Sequence, residues 1–226
     1  TRSDRDWSSD VCSSDLFELL MVTVDAPVNG VRNREHRAGF HWSDDAIPEN
    51  LKGLPTPRMN TLPEGASVVF DHFMAVAPTW EDVKRLRQQT KLPIVLKGIL
   101  SADDAERAIE LGVDGIAVSN HGGRTLDTLP ATIDVISEIS GVVDGRVPLL
   151  LDGGIRRGTD VLKALALGAS AVMIGRPIIY GLVVAGALGV SHVLRLLRDE
   201  FEISMALTGC RSLKDIRPDL IRRQTA

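Results

Sequence analysis

The sequence predicts an α/β fold built on a parallel sheet. Short apolar runs recur along the chain, stretches of helical length with amphipathic spacing separate them, and Gly, Ser or Thr marks most of the joins. Alternation of this kind is the pattern of parallel β/α units. A polar residue closes each run: Asp25, Lys97, Ser119 with His121, Asp152, and Gly175 with Arg176. Polar groups collected at the carboxyl ends of parallel strands point to the top of a β/α barrel. An open doubly wound sheet also binds ligands at strand ends, but the Gly-x-Gly-x-x-Gly loop usual after its first strand is missing.

The elements follow in order. Leu19 to Val24 is a continuous apolar run, as in a strand buried on both faces. Ala26 to Pro78 is rich in Pro, Asn, Gly and charge, and a connection that long suggests a functional lid or excursion. Thr79 to Thr90 carries a helix start in Thr79, Glu81 and Asp82, and Pro93 to Leu96 is the next strand, ending in Lys97. Ser101 caps a helix through Leu111 that Gly112 stops. Gly115 to Val118 reads as a strand, Pro130 to Ile139 as a helix, and Val147 to Leu151 as a strand ending in Asp152. Thr159 to Leu167 is a helix stopped by Gly168, and Ala171 to Ile174 a strand ending in Gly175. Ser191 then opens an amphipathic helix through Leu207, which Gly209 ends. The sum is five strand–helix units.

Composition narrows the function classes. The chain has 226 residues, 44% hydrophobic and 25% charged, which suits an ordinary globular core. A formal net charge of −4, no basic run and 4% aromatics argue against nucleic acid. Two cysteines, Cys12 and Cys210, are too few for a disulfide framework or a metal cluster and fit a reducing cytoplasm. The longest apolar candidate, Gly181 to Val190, is glycine-interrupted and falls short of the ~20 residues that cross a bilayer. Residues 1–16 (TRSDRDWSSDVCSSDL) lack periodicity and resemble the translation of a sequencing adapter, with a natural disordered tail as the alternative. The partial barrel domain then occupies residues 17–226, and Cys12 carries no function.

Two stretches carry chemistry. Ser119-Asn120-His121-Gly122-Gly123-Arg124 places an acid/base group and a carboxylate clamp three residues apart, with glycines between that keep the approach open. Asp152-Gly153-Gly154-Ile155-Arg156 runs from a strand into a helix, and Gly175-Arg176-Pro177 repeats the arrangement one unit later. Glycine backbone N–H groups, a helix N-terminus and a bidentate arginine suit a phosphate. Paired loops of this kind after the last barrel strands form the usual phosphate site of the architecture. Tight turns with solvated arginines are the plainer alternative.

In order, the chain carries Thr23-Val24-Asp25-Ala26-Pro27 with Arg32, Lys97-Gly98, Ser119 to Arg124, Asp152 to Arg156, Gly175-Arg176-Pro177 and Met205 to Leu213. From about Phe17 to Ile216 it resembles the FMN-dependent 2-hydroxy acid oxidases and dehydrogenases, the family of glycolate oxidase, lactate oxidase and mandelate dehydrogenase. That resemblance implies a (β/α)8 barrel, FMN as cofactor, a small 2-hydroxy acid as substrate and O2, a quinone or a cytochrome as electron acceptor. It implies a homo-oligomer, tetrameric in the family, located in the cytoplasm or peripherally on the inner face of a membrane.

By the same resemblance His121 is the base, Asp25 stabilises its imidazolium, and Lys97 faces the flavin edge where reduction builds negative charge. Arg124 clamps the substrate carboxylate, with Arg32 a second basic group and Arg34 its rival. Thr23 and Ser119 bond the flavin or its ribityl chain, and Asp152 binds the ribityl hydroxyls. Gly153, Gly154, Arg156, Gly175 and Arg176 hold the phosphate; no metal is implied. Plainer roles stand beside these: Asp25 as a turn cap, Lys97 as a surface lysine, Thr23 and Ser119 as ordinary strand residues. His36, His41, His72 and His192 read as loop or helix-surface residues.

The match also departs from the family. The Asp25 strand corresponds to the fourth barrel strand, so three strands and two active-site tyrosines have no counterpart here, and Tyr180 cannot replace either. Open sheet edges are aggregation-prone, which predicts that this chain by itself folds poorly or lacks activity. Other readings are another phosphate-binding barrel, resembling type 2 isopentenyl diphosphate isomerase or inosine monophosphate dehydrogenase, and a fragment that binds FMN without turnover. Cys210 is misplaced for the dehydrogenase, and His121 to Arg124 favour the hydroxy acid family over both barrels.

Overall fold

The computed structural model describes residues 17–41, 43, 46, 49, 52–54 and 62–222; the expected leader, residues 1–16 with Cys12, lies outside them. Five strands, β1 (Leu20–Thr23), β2 (Ile94–Ile99), β3 (Gly115–Val118), β4 (Leu149–Asp152) and β5 (Ala171–Met173), form one sheet. Each strand pairs in parallel with the next in the chain, giving the order β1-β2-β3-β4-β5. Uninterrupted order is how strands run around a β/α barrel, whereas a doubly wound sheet reverses at a switch point. The chain therefore holds five consecutive units of barrel type, as the alternation predicts.

The strands sit where apolar runs are bounded by turn residues. β3 is buried along its whole length, as expected of a parallel strand covered on both faces. Ile94, Leu96, Ile116, Val118 and Leu151 meet Ile136, Ile139 and Val143 in one core cluster. Each such side chain contributes about 1.5–3 kcal/mol on burial. Helices α2 (Trp80–Gln89), α3 (Ala102–Glu110), α4 (Thr132–Val143) and α5 (Gly158–Ala166) add side chains to this cluster, and α6 (Arg176–Leu207) packs on α5. Thr79 starts α2 through bonds from its N–H (2.7 Å) and hydroxyl (2.9 Å) to Asp82 Oδ2. Ser101 Oγ accepts Asp104 N–H at the start of α3, and Gly112 at φ +78° ends the following turn.

Three boundaries differ from the sequence reading. Lys97 does not end β2; the strand continues through Gly98 to Ile99 across a register shift. Helix α4 starts at Thr132 and runs to Val143, where Asp144 turns left-handed (φ +47°). Helix α6 begins at Arg176 rather than Ser191, because Pro177 in its first turn suits a helix start. By length and mean hydropathy (1.8) α6 could cross a membrane. However, Ala185 (φ −148°) and Gly186 (φ +57°) leave the helical region and divide its apolar stretch. Gly181 and Gly189 meet across this kink, and a Cβ on Gly181 would lie 2.7 Å from the Gly189 carbonyl oxygen.

Residues 26–77 form a second compact unit. It contains the five-residue helix α1 (Asn33–Arg37) and a wide turn over Val68–Phe73 that Ser67 opens by accepting the Phe70 N–H. His72 packs edge-on against Phe73 with ring centroids 5.0 Å apart.

Candidate active site

The C-terminal ends of β1, β2 and β3 bring Asp25, Lys97 and His121 together. His121 Nδ1 lies 3.0 Å from Asp25 Oδ1. A carboxylate only accepts, so Nδ1 carries the proton and Nε2 keeps the free lone pair. The Asp25 side chain is 10% exposed and its Oδ2 is buried with no partner among the described residues. Gly98 makes the pair possible: it takes φ +114°, and a Cβ there would stand 2.5 Å from both Cβ and Cγ of Asp25.

Beneath this pair lies a charged cluster. Lys97 Nζ is 2.9 Å from Asp152 Oδ2, with the two side chains 14% and 16% exposed. Ser119, fully buried, donates to Asp152 Oδ2 (2.7 Å) and accepts from Lys97 Nζ (3.1 Å) and the His121 N–H (3.0 Å). One donated proton and two lone pairs are all a hydroxyl has. A flavin contact at Ser119 therefore requires it to exchange a partner. Thr23 is exposed and faces Lys97 across the β1–β2 register.

The loop after β3 is held in an uncommon conformation. His121, Gly122 and Gly123 take φ of +55°, +68° and +71°, and a left-handed residue that is not glycine costs roughly 1–2 kcal/mol. Asn120 offsets this by accepting Gly122 N–H on its Oδ1 (3.1 Å) and Gly123 N–H on its carbonyl (2.9 Å), while its Nδ2 donates to the Pro130 carbonyl (3.2 Å). Sequence reasoning gave Asn120 no role, although Asn after a strand is a turn former.

A cavity of about 250 Å³ opens above these residues. His121, Arg124, Asp152, Gly153, Gly154, Arg156, Gly175 and Arg176 all line it. Its lining holds four cationic side chains, Lys97, Arg124, Arg156 and Arg176, against one carboxylate, Asp152. Neither Arg124 nor Arg156 forms a side-chain ion pair among the described residues, so the lining carries an excess of positive charge. A Cβ at Gly154 or Gly175 would meet no protein atom within 4 Å. Packing does not require these glycines; they keep the cavity open.

One expected feature is corrected. Asp160 Oδ2 accepts the N–H groups of Arg156 and Arg157 (3.0 Å each), and Glu200 Oε2 accepts that of Gly158 (2.9 Å). The protein's own carboxylates thus fill the N-terminus of α5. The helix start that faces the cavity is that of α6, which has no acidic residue in its first turn. Glu200 and Gly158 lie 42 residues apart, a contact that local sequence pattern does not signal. Arg32 belongs to the 26–77 unit, where it precedes α1 and pairs with Glu35 at 3.5 Å. His192 lies within α6, lining an apolar groove with Tyr180 and Leu188.

Fold and site define a β/α-barrel protein whose strand ends join a His–Asp pair to a cavity lined by lysine and arginine. Residues 10–223 match the family model described as FMN-dependent dehydrogenase, and the chain belongs to that family. It is 53% identical over 204 residues to an L-lactate oxidase of Roseobacter sp. (strain GAI101), covering 90% of this chain and 55% of that protein. Against human 2-hydroxyacid oxidase 1 the identity is 46% over 216 residues, covering 92% and 57%. A crystal structure of mandelate oxidase with (S)-2-phenylpropionate superposes with a TM-score of 0.71 at 44% identity, covering 89% of this chain and 54% of that one. The chain spans a little over half the length of these relatives.

Proposed function

We propose that this chain carries the base, the carboxylate clamp and the cofactor-phosphate seat of an enzyme that oxidises 2-hydroxy carboxylates to 2-oxo carboxylates with FMN. The observation that carries this is the convergence of His121, Arg124, Arg156 and Arg176 on one cavity. The names of the relatives agree with it. The donor set also suits the cofactor: Arg156 and Arg176 beside open glycines fit a phosphate, and Asp152 with Lys97 fits a polar chain leading from it. FMN, when bound, supplies the acceptor for two electrons.

This chain's residues do the rest. Arg124 pairs with the substrate carboxylate through a planar donor fork, and Arg32 is proposed as a second basic group. His121 Nε2 takes a proton from the substrate, and Asp25 holds the ring by Nδ1 and stabilises its positive form. Lys97 places a cation where negative charge develops on the cofactor. Thr23 and Ser119 are proposed as polar contacts to it, Ser119 after exchanging a partner. O2, a quinone or a cytochrome then accepts the electrons. The setting proposed is cytoplasmic, consistent with the sparse cysteines, with self-association into a homo-oligomer.

The test is a single reduction of bound flavin rather than turnover, which is not expected of this chain by itself; one reduction needs only the base, the clamp and the cofactor seat. The chain loaded with FMN under anaerobic conditions is mixed with glycolate, lactate or mandelate, and with their methyl esters. The reading expects flavin bleaching by at least one acid and none by its ester. Flavin that binds yet stays oxidised with all three acids would leave a binding fragment instead.

A further inference from the structure

The geometry points to Arg176 as a coupling residue: an anion bound at the phosphate end orders the His121 loop through the Arg176–Gly122 hydrogen bond. This rests on the reading of the cavity as a phosphate seat. Arg176 Nη2 donates to the Gly122 carbonyl at 3.1 Å, across 54 residues of sequence. The Gly122 and Gly123 N–H groups are held from within the loop, by Asn120, and that of His121 by Ser119. Arg176 reaches the same backbone from another strand–helix unit.

The close approach is built into the loop. A Cβ on Gly122 would come 3.2 Å from Arg176 Nη2, and Gly122 sits at φ +68°. Gly122 thus lets the guanidinium in as well as letting the loop turn. The guanidinium has five N–H donors in one plane. One is on Gly122, and the group lines the cavity with Arg156. Arg176 is exposed and its bond to the loop is a solvent-facing one. Without an anion, such a side chain exchanges among rotamers and the bond contributes little. A phosphate seated between Arg156 and Arg176 fixes the plane of the fork, and with it the donor aimed at Gly122.

The loop so held carries His121 and Arg124 at its two ends, so cofactor phosphate and catalytic geometry become linked. Linkage is reciprocal: whatever factor the phosphate gives to loop order, loop order returns to phosphate affinity. Arg176 is a positioning residue toward His121 in this scheme.

Hydrogen exchange of the amides of residues 120–124 tests it, read without substrate in the chain alone, with inorganic phosphate, with FMN and with riboflavin. The expectation is that phosphate and FMN slow exchange in this segment about tenfold, the scale of one charge-assisted hydrogen bond, and that riboflavin does not. In Arg176→Lys, compared with the wild type at equal phosphate occupancy, the added protection is lost. Arg176→Met at equal occupancy behaves likewise, so the result does not hang on one variant. Phosphate that fails to bind, or binds in the wild type without slowing exchange, or protects the loop equally in Arg176→Lys, overturns the coupling. Protection by phosphate in a chain that takes up no flavin would sustain the coupling and sink the FMN reading.

Discussion

Asp25 and His121 are 96 residues apart in sequence, yet Asp25 Oδ1 and His121 Nδ1 lie 3.0 Å from one another, past the ends of β1 and β3 with β2 between them. That single bond fixes the plane of the ring by its Nδ1 and leaves Nε2 free of it. It depends on a third residue that touches neither substrate nor cofactor in the proposed reaction.

That residue is Gly98. A Cβ there would strike the Asp25 side chain, and φ +114° is a conformation side chains rarely adopt. Gly98→Ala is expected to destabilise the fold by about 1–3 kcal/mol, the scale of backbone strain at a functional site. Urea unfolding measures that loss. Loss of the hydrogen-bonded Nδ1 proton signal of His121 in NMR spectra separates displacement of Asp25 from general destabilisation.

Arg124 makes no ion pair among the described residues and lines the cavity beside His121. Arg124→Lys keeps the charge and loses the planar fork, which a charge-assisted hydrogen bond of about 1.5–3 kcal/mol values at roughly 10–100-fold. The concentration of 2-hydroxy acid that half-bleaches bound flavin is expected to rise by that factor, while FMN affinity holds. Equal loss of FMN affinity would move Arg124 from the substrate to the cofactor.

Lys97 and Asp152 are mostly buried and paired at 2.9 Å. Removing one partner of such a pair leaves a buried charge uncompensated, at about 3–5 kcal/mol. Lys97→Met is expected to lower the denaturation midpoint sharply, and the double variant Lys97→Met/Asp152→Leu to recover much of the loss. Lack of recovery would mean that Lys97 acts by packing alone.

At the start of α2, bonds from the backbone N–H and hydroxyl of Thr79 hold the Asp82 carboxyl below the usual carboxylate range. A group lowered in this way adds stability above its unfolded value and loses it as pH falls through the folded one. The stability gap between wild type and Thr79→Ala should therefore be present at neutral pH and close on acidification. Thermal melts across that range measure it, and a gap independent of pH would remove Asp82 from the account.

Much of this architecture was legible because parallel strands buried on both faces leave continuous apolar runs, and polar residues mark where those runs stop. Gly115 to Val118 is the clearest case, with strand limits that match the apolar run. Asp25, His121, Asp152 and Gly175 were found by strand-end position. The continuation of β2 past Lys97 was hidden because a lysine and a glycine look like an ending, while a bulge lets the strand pass through both. The start of α6 was obscured by the kink at Ala185 and Gly186, which breaks the helical period. The closure of the α5 terminus by Glu200, and the reach of Arg176 to Gly122, join residues 42 and 54 positions apart. Local pattern carries no record of such long-range contacts.

His121, poised by Asp25, is proposed to remove a proton from a bound 2-hydroxy acid. Anaerobic bleaching of FMN bound to the wild-type chain, His121→Gln and Asp25→Asn, each at equal flavin occupancy, tests it most directly. Bleaching by a 2-hydroxy acid is expected in the wild type. The rate is expected to fall by roughly 10²–10⁴-fold in His121→Gln, the usual worth of a general base, and by less in Asp25→Asn. Bleaching of His121→Gln at the wild-type rate would rule out His121 as the base.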